Sequence, residues 1–238
     1  MIDLELDQGV AIITINRPHA RNAIALATMG ELEKALDAAV GCAALVITGA
    51  GERAFVSGGD LKELAAIRTV EDATAMAMRM RRICDRLATF PVPVIAALNG
   101  HAVGGGAEVA VAADIRVAAD DIKIGFTQTT LAIMPAWGGA ERLAALVGRG
   151  RALLLAGAGT LLDAAEAERI GLVDRILPRT SFDEGWRALA RSLATAPARE
   201  VKRVTMGTLT SEEAAGAFAD LWVADEHWQA VERATRRD

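Results

Sequence analysis

The sequence predicts an α/β fold built on parallel strands. Three observations carry that expectation. Short runs rich in apolar and β-branched residues recur along the chain, as in VAIITI at Val10–Ile15, and a strand that is largely apolar on both faces belongs in a sheet covered on both sides. Segments with apolar residues at helical spacing lie between those runs. The hydrophobic fraction is 52% of 238 residues, enough for one large domain or two modest ones.

Val10–Ile15 is the first strand, ended by Asn16, Arg17 and Pro18. Thr28 and Glu31 have capping-box spacing, and Leu32, Ala35, Leu36, Ala39 and Val40 follow at helical intervals. Residues 44–48 read as a second buried strand, closed by Gly49, Ala50 and Gly51. A loop over 52–60 follows, then a helix over roughly 70–87 with Met76, Met80, Ile83 and Leu87 on one face. Residues 90–93, Phe-Pro-Val-Pro, break that helix; Val94–Leu98 is a strand and Asn99-Gly100 a turn. The run from His101 to Gly106 leads into an apolar helix over about 107–112, and residues 114–118 and 122–126 read as further strands. From Gly138 the pattern is mostly helical, with one short strand at 173–177 and a helix-rich stretch from about 182 to 237. No sequence repeat and no low-complexity linker interrupts it.

Composition excludes several function classes. A formal net charge of −5 argues against a broad nucleic-acid footprint. Cys42 and Cys84 lack metal-ligand spacing and read as reduced, buried thiols of a cytoplasmic protein. The opening residues Met1 to Glu5 have neither the basic nor the apolar part of a signal peptide. The longest apolar stretch, residues 92–119, is broken by Asn99, His101, Glu108, Asp114 and four glycines, so no membrane span is expected. With no tyrosine and three histidines, few groups are available for acid–base work.

Two glycine-rich segments stand out. In IAALNGHAVGGGAEVAVA (95–112) a strand feeds Gly104, Gly105 and Gly106, which open a helix. Glycines let a ligand approach the backbone closely, and a helix start offers unpaired N–H groups to an anion or a developing oxyanion. The same glycines would equally serve tight strand–helix packing. The dinucleotide G-x-G-x-x-G, the P-loop ending and G-x-S-x-G are all missing. The second segment, Phe55-Val56-Ser57-Gly58-Gly59-Asp60, also follows a strand; read plainly, it is a turn with Asp60 capping the next helix. Together the two loops form a stronger constellation, because an oxyanion hole draws donors from separate segments. Glu108, one turn beyond Gly105, is the sole charge in residues 102–113. It is either a first-turn helix cap or a carboxylate kept in an apolar setting for use.

Residues 94–143, VIAALNGHAVGGGAEVAVAADIRVAADDIKIGFTQTTLAIMPAWGGAERL, resemble the signature region of the crotonase (enoyl-CoA hydratase/isomerase) superfamily. Asn16-Arg17-Pro18 with Asn22-Ala23, AFVSGGDLKE (54–63) and AEAERIGLV (165–173) resemble its landmarks in the family's order. The resemblance implies a spiral of ββα units over 1–180 and a helical region over 181–238 that builds a homotrimer or a dimer of trimers. It implies an acyl-CoA thioester substrate and no metal or redox cofactor. It assigns the oxyanion N–H groups to Gly59 and Gly105. It runs the CoA path along Ala54, Phe55, Val56, Ser57, Gly58, Asp60 and Gly104. Trp137, two residues past Pro135, reads either as a wall of the acyl pocket or as plain core. Arg21 and Lys62 are candidates to meet CoA phosphates, with plain surface solvation as the default reading of both. Glu108 matches the first catalytic glutamate of hydratases, and Gln128 stands where the second would be. An amide cannot donate a proton as a carboxylic acid does, which leaves Gln128 as a positioning group. The segment 123–143 is also similar to the ethylmalonyl-CoA decarboxylase branch. The expected function is therefore enoyl-CoA hydration, with decarboxylation of an ethylmalonyl- or methylmalonyl-CoA, or silent acyl-CoA binding, as alternatives.

Overall fold

A computed structural model describes residues 1–236; Arg237 and Asp238, at the end of the expected helical region, lie outside the described residues. The chain opens with strand β1 (Ile2–Asp7), which turns through Gln8 and Gly9, both at positive φ, into an antiparallel pairing with β2 (Val10–Ile15). Helix α1 (Leu26–Ala38) follows. It begins before Thr28, and Ala25 at its N-cap makes no side-chain cap, so the predicted capping box does not form. The Glu31 carboxylate instead accepts the Ile2 N–H at 2.9 Å and holds the chain's N-terminus.

Three successive ββα units come next. The first is β3 (Ala44–Gly49), β4 (Ala54–Val56), a short helix α2 (Leu61–Leu64) and the long α3 (Val70–Ala88). The second is β5 (Val94–Leu98), β6 (His101–Val103) and α4 (Gly105–Ala110). The third is β7 (Ile115–Ala119), β8 (Lys123–Gly125), a 3-10 turn at Gln128–Leu131, α5 (Gly139–Val147) and α6 (Arg149–Ala158). Each unit gives its first strand to one sheet and its second to another. With β9 (Leu161–Asp163), α7 (Ala164–Arg169) and β10 (Arg175–Leu177), the result is a six-stranded sheet ordered β1-β2-β3-β5-β7-β10 and a four-stranded sheet ordered β4-β6-β8-β9. Pairing is parallel except for β1 with β2 and β8 with β9. The chain thus winds as the expected α/β spiral.

The predicted strand at 173–177 shortens to β10. The Leu172 and Val173 N–H groups both bond the Ala167 carbonyl, which holds them in the turn closing α7. The central strands are covered on both faces: Leu45, Val46, Ile47 and all of β5 are fully buried, as their unbroken apolar runs require. The small sheet lies against one face through β4, and α8 (Phe182–Leu193) lies against the other, burying Phe182, Trp186 and Ala190. Three helices end the described chain: α9 (Ala196–Thr205), α10 (Ser211–Val223) and α11 (Asp225–Thr235). The last two bury no residue and expose Phe218, Trp222, Val223 and Trp228.

One ion pair fastens α9 to the core. Lys202 Nζ lies 2.7 Å from Asp114 Oδ2 and donates to the Val92 carbonyl at 2.9 Å, while the same Asp114 oxygen accepts the Val94 N–H. Burial pushes the Asp114 carboxyl above its usual range, and Lys202 opposes that. Lys202→Met leaves Asp114 with one donor, and removing one partner of a buried pair is strongly destabilising. The expected cost is about 3 kcal/mol in urea unfolding. A loss under about 1 kcal/mol, the range of exposed pairs, would refute the account.

Candidate active site

The site forms where β4 and β6 end and α4 begins. Two asparagines shape it. Asn22, fully buried with φ at 56°, accepts the Arg17 N–H and donates to the Ala54 carbonyl at 2.7 Å. Asn99 accepts the Gly49 N–H at 2.9 Å and donates to the carbonyls of Gly51 and Ala54. Both amides thereby pin the start of β4 to the end of the large sheet. Gly100 is required beside them, because a Cβ there would stand 2.6 Å from the Arg53 carbonyl carbon and closer still to the Ala54 nitrogen.

The loop after β4 runs Ser57, Gly58, Gly59. Gly58 is at φ +98°, and a Cβ on it would sit 3.3 Å from the Gly105 nitrogen. The two predicted donor loops are therefore in van der Waals contact. Among the described residues, neither the Gly59 nor the Gly105 N–H has a hydrogen-bond acceptor. Gly104, at φ 59°, turns the chain into α4. Its own N–H is used by the Gly125 carbonyl.

Glu108 is 2% exposed. Its Oε2 accepts the N–H groups of Trp137 at 2.7 Å and Gly139 at 3.0 Å, and its Oε1 accepts Gln128 Nε2 at 2.8 Å. Burial pushes the Glu108 carboxyl above its usual range, against the pull of those donors. Gly139 has to be glycine: a Cβ there would lie 2.8 Å from the Glu108 Cβ and nearer to its Cγ. Gln128 is itself buried, and its Oε1 is without a hydrogen-bond donor. The expected group of Gly59, Gly105, Glu108 and Gln128 is thus drawn to one end of α4.

Trp137, 7% exposed, lies against Gly105. A Cβ on that glycine would stand 2.5 Å from the indole Cη2, with Cζ3 closer still. The Trp137 carbonyl accepts from Arg142 at 3.1 Å, and Arg142 pairs with Asp85 of α3. Sequence reasoning missed that support. Its pieces lie 52 residues apart, a separation given by 137 less 85, and no local pattern joins them.

A cleft of about 670 Å³ opens from Gly59 toward solvent, lined also by Ala54, Ser57, Asp60 and Val103. Phe55 and Val56, predicted on the same path, are fully buried, so their side chains belong to the core. Asp60 is already engaged: its Oδ1 caps α2, and its Oδ2 meets Arg17 at 3.0 Å. Burial pushes this carboxyl up, but the Arg17 and backbone hydrogen bonds outweigh it and hold it below the usual range. Arg17 also donates to Glu63 and the Ala23 carbonyl. The cations left at the cleft are Arg21, Arg53 and Lys62, which make no ion pair among the described residues. His101 lines the rim, and its Nδ1 accepts the Lys123 N–H at 3.0 Å, the structural role its position suggests.

The arrangement offers two free N–H groups on touching loops, one buried carboxylate beside them, and a cleft with free positive charge. Known proteins share the sequence and the fold of this chain. Residues 5–227 match the family described as "Enoyl-CoA hydratase/isomerase". A Bacillus subtilis (strain 168) protein named "Probable enoyl-CoA hydratase" is 40% identical over 175 residues, covering 72% of this chain and 67% of that one. The crystal structure of an enoyl-CoA hydratase from Bacillus anthracis superposes with a TM-score of 0.89 at 31% identity, covering 99% of this chain and 96% of that one. An enoyl-CoA hydratase structure from Thermoplasma volcanium gives 0.85 at 30% identity, covering 98% and 96%.

Proposed function

We propose, from the premise that this chain belongs to the enoyl-CoA hydratase/isomerase family of the crotonase superfamily, that it is a lyase adding water to a 2-enoyl-CoA. The observation that carries this reading is Glu108, a buried carboxylate at the end of α4 beside two free glycine N–H groups. The thioester oxygen accepts from Gly59 and Gly105. As water attacks the β-carbon, the C=C electrons move toward that oxygen, and the two donors stabilise the resulting enolate.

Glu108 moves the proton. Its Oε2 is fixed by two backbone donors, so Oε1 is the working oxygen. It takes a proton from water while the hydroxyl bonds the β-carbon, then returns that proton to the α-carbon as the carbonyl re-forms. One water is consumed and Glu108 is restored. A carboxyl raised by burial binds that proton more firmly than an exposed one. Gln128 holds Glu108 through Nε2, and its unpartnered Oε1 is an acceptor for the second water hydrogen. Arg21, Arg53 and Lys62 are placed to meet the CoA phosphates. No step uses a metal or a redox cofactor. We place the protein in the cytoplasm; among the described residues no helix is long and apolar enough to cross a membrane. The exposed aromatics of α10 and α11 suit assembly into a homotrimer or dimer of trimers.

Decarboxylation of an ethylmalonyl- or methylmalonyl-CoA is the second reading, favoured by one feature: Gln128 leaves a single carboxylate in contact with the working position. The test offers crotonyl-CoA and ethylmalonyl-CoA separately, following loss of enoyl absorbance and release of CO₂. Hydration is expected. It should rise with pH as Glu108 ionises, along a limb lying above the usual carboxylate range because burial raises the group. A limb within that range would contradict the role given to Glu108. Turnover of ethylmalonyl-CoA alone would establish the second reading, and binding without turnover of either would make the chain a silent acyl-CoA binder.

A further inference from the structure

Two side chains, Trp137 and Leu64, stand against the glycine donors. We propose that Trp137 and Leu64 set the length of acyl chain the site accepts, restricting it to short chains. The inference rests on the acyl-CoA reading above and deepens it.

The geometry is local to Gly59. A Cβ on that residue would stand 2.8 Å from Leu64 Cδ1 and 4.0 Å from Trp137 Cζ2. Helix α2 and the loop before α5 therefore meet over the same glycine. On its other side the indole packs against Gly105. A thioester oxygen held by both N–H groups lies about 3 Å from each nitrogen, which places the acyl carbons beside these same two side chains. A short enoyl group needs little room beside these side chains; a longer chain must displace one of them.

The two walls differ in stiffness. Trp137 is held at its N–H by Glu108 and at its carbonyl by Arg142, and the ring is almost wholly buried. Leu64 is half-buried, on a helix of four residues. Trp137 should therefore be the strict limit and Leu64 the yielding one. Were the indole only core filling, its removal would weaken all substrates alike.

The test compares wild type, Trp137→Ala, Trp137→Phe and Leu64→Ala. Dissociation constants are measured for butyryl-CoA and octanoyl-CoA, which are saturated, and kcat/KM for the matching enoyl thioesters. Wild type should prefer the short chain by about tenfold or more, since each methylene that fits or clashes is worth at least that. Trp137→Ala should move the octanoyl-to-butyryl ratio by about tenfold toward the long chain, Leu64→Ala should move it less, and Trp137→Phe should keep the wild-type order. Equal acceptance of both chains by wild type, or an equal fall for both in Trp137→Ala, overturns the proposal. Should Trp137→Ala fail to fold, an unmoved ratio in Leu64→Ala overturns it instead. Wild type binding neither thioester would sink the acyl-CoA reading and this inference with it; both binding with an unmoved ratio sinks this inference alone.

Discussion

Glu108→Gln lowers hydration by about 10²–10⁴-fold, the range for a positioned general acid–base group, while the protein stays folded. The substituted oxygen can still accept the N–H groups of Trp137 and Gly139, and the new amide meets Gln128, whose own amide turns to present its oxygen. Only the proton transfer is lost. Stability gives a second readout. The folded-state pKa of Glu108 is raised, so the native state binds more protons than the unfolded one between the usual carboxylate value and the raised one. The stability it contributes is present at low pH and is lost as pH rises through the folded value. Glutamine does not titrate. The melting temperature of the variant relative to wild type should therefore climb from acid to neutral pH, and a constant or shrinking difference would mean that burial does not perturb Glu108.

Gly106→Ala has the largest expected effect on folding. The added Cβ would lie 2.6 Å from the Val56 carbonyl carbon and closer to its oxygen, both backbone atoms of β4. No rotamer relieves that contact; α4 and β4 must separate. The cost is expected at about 3 kcal/mol or more, the upper range for overpacking. Separation also spreads Gly59 from Gly105, so any protein that folds should hydrate poorly. Gly150→Ala is the control, since a Cβ there meets nothing within 4 Å. Urea unfolding of both variants decides it, and equal midpoints would show that α4 is not held this close to β4.

The sequence disclosed the large sheet better than the small one. Val10–Ile15 and Val94–Leu98 matched the observed strands because all their residues but Thr14 are buried, which leaves a nearly unbroken apolar run. β4, β6 and β9 have three residues each, too few to display a period, and two of them adjoin glycine loops. β1 escaped because its centre is exposed, including Leu4 and Leu6. In the site, Glu108 was legible as a charge stranded in an apolar run. Its partners were not: the Trp137 and Gly139 N–H groups carry no side-chain signature, and the backbone that presents them is set by packing. The Arg17–Asp60–Glu63 cluster stayed hidden for a related reason, since Asp60 reads locally as nothing more than a helix cap.

The junction at Asn99-Gly100 carries a chemical liability along with its structural task. The fold demands the amide at 99 for its three backbone contacts and bare hydrogen at 100 for the approach of residues 53 and 54. Together these demands impose Asn-Gly, a dipeptide in which an unhindered glycine nitrogen can attack the preceding amide and expel ammonia. The same hydrogen bonds that require the asparagine also restrain it from that cyclisation. Ageing at this junction is therefore paced by how often the chain opens. Once an aspartate forms, its oxygen faces the Gly51 and Ala54 carbonyls where an N–H had been, so each lesion favours further opening of the molecule that bears it.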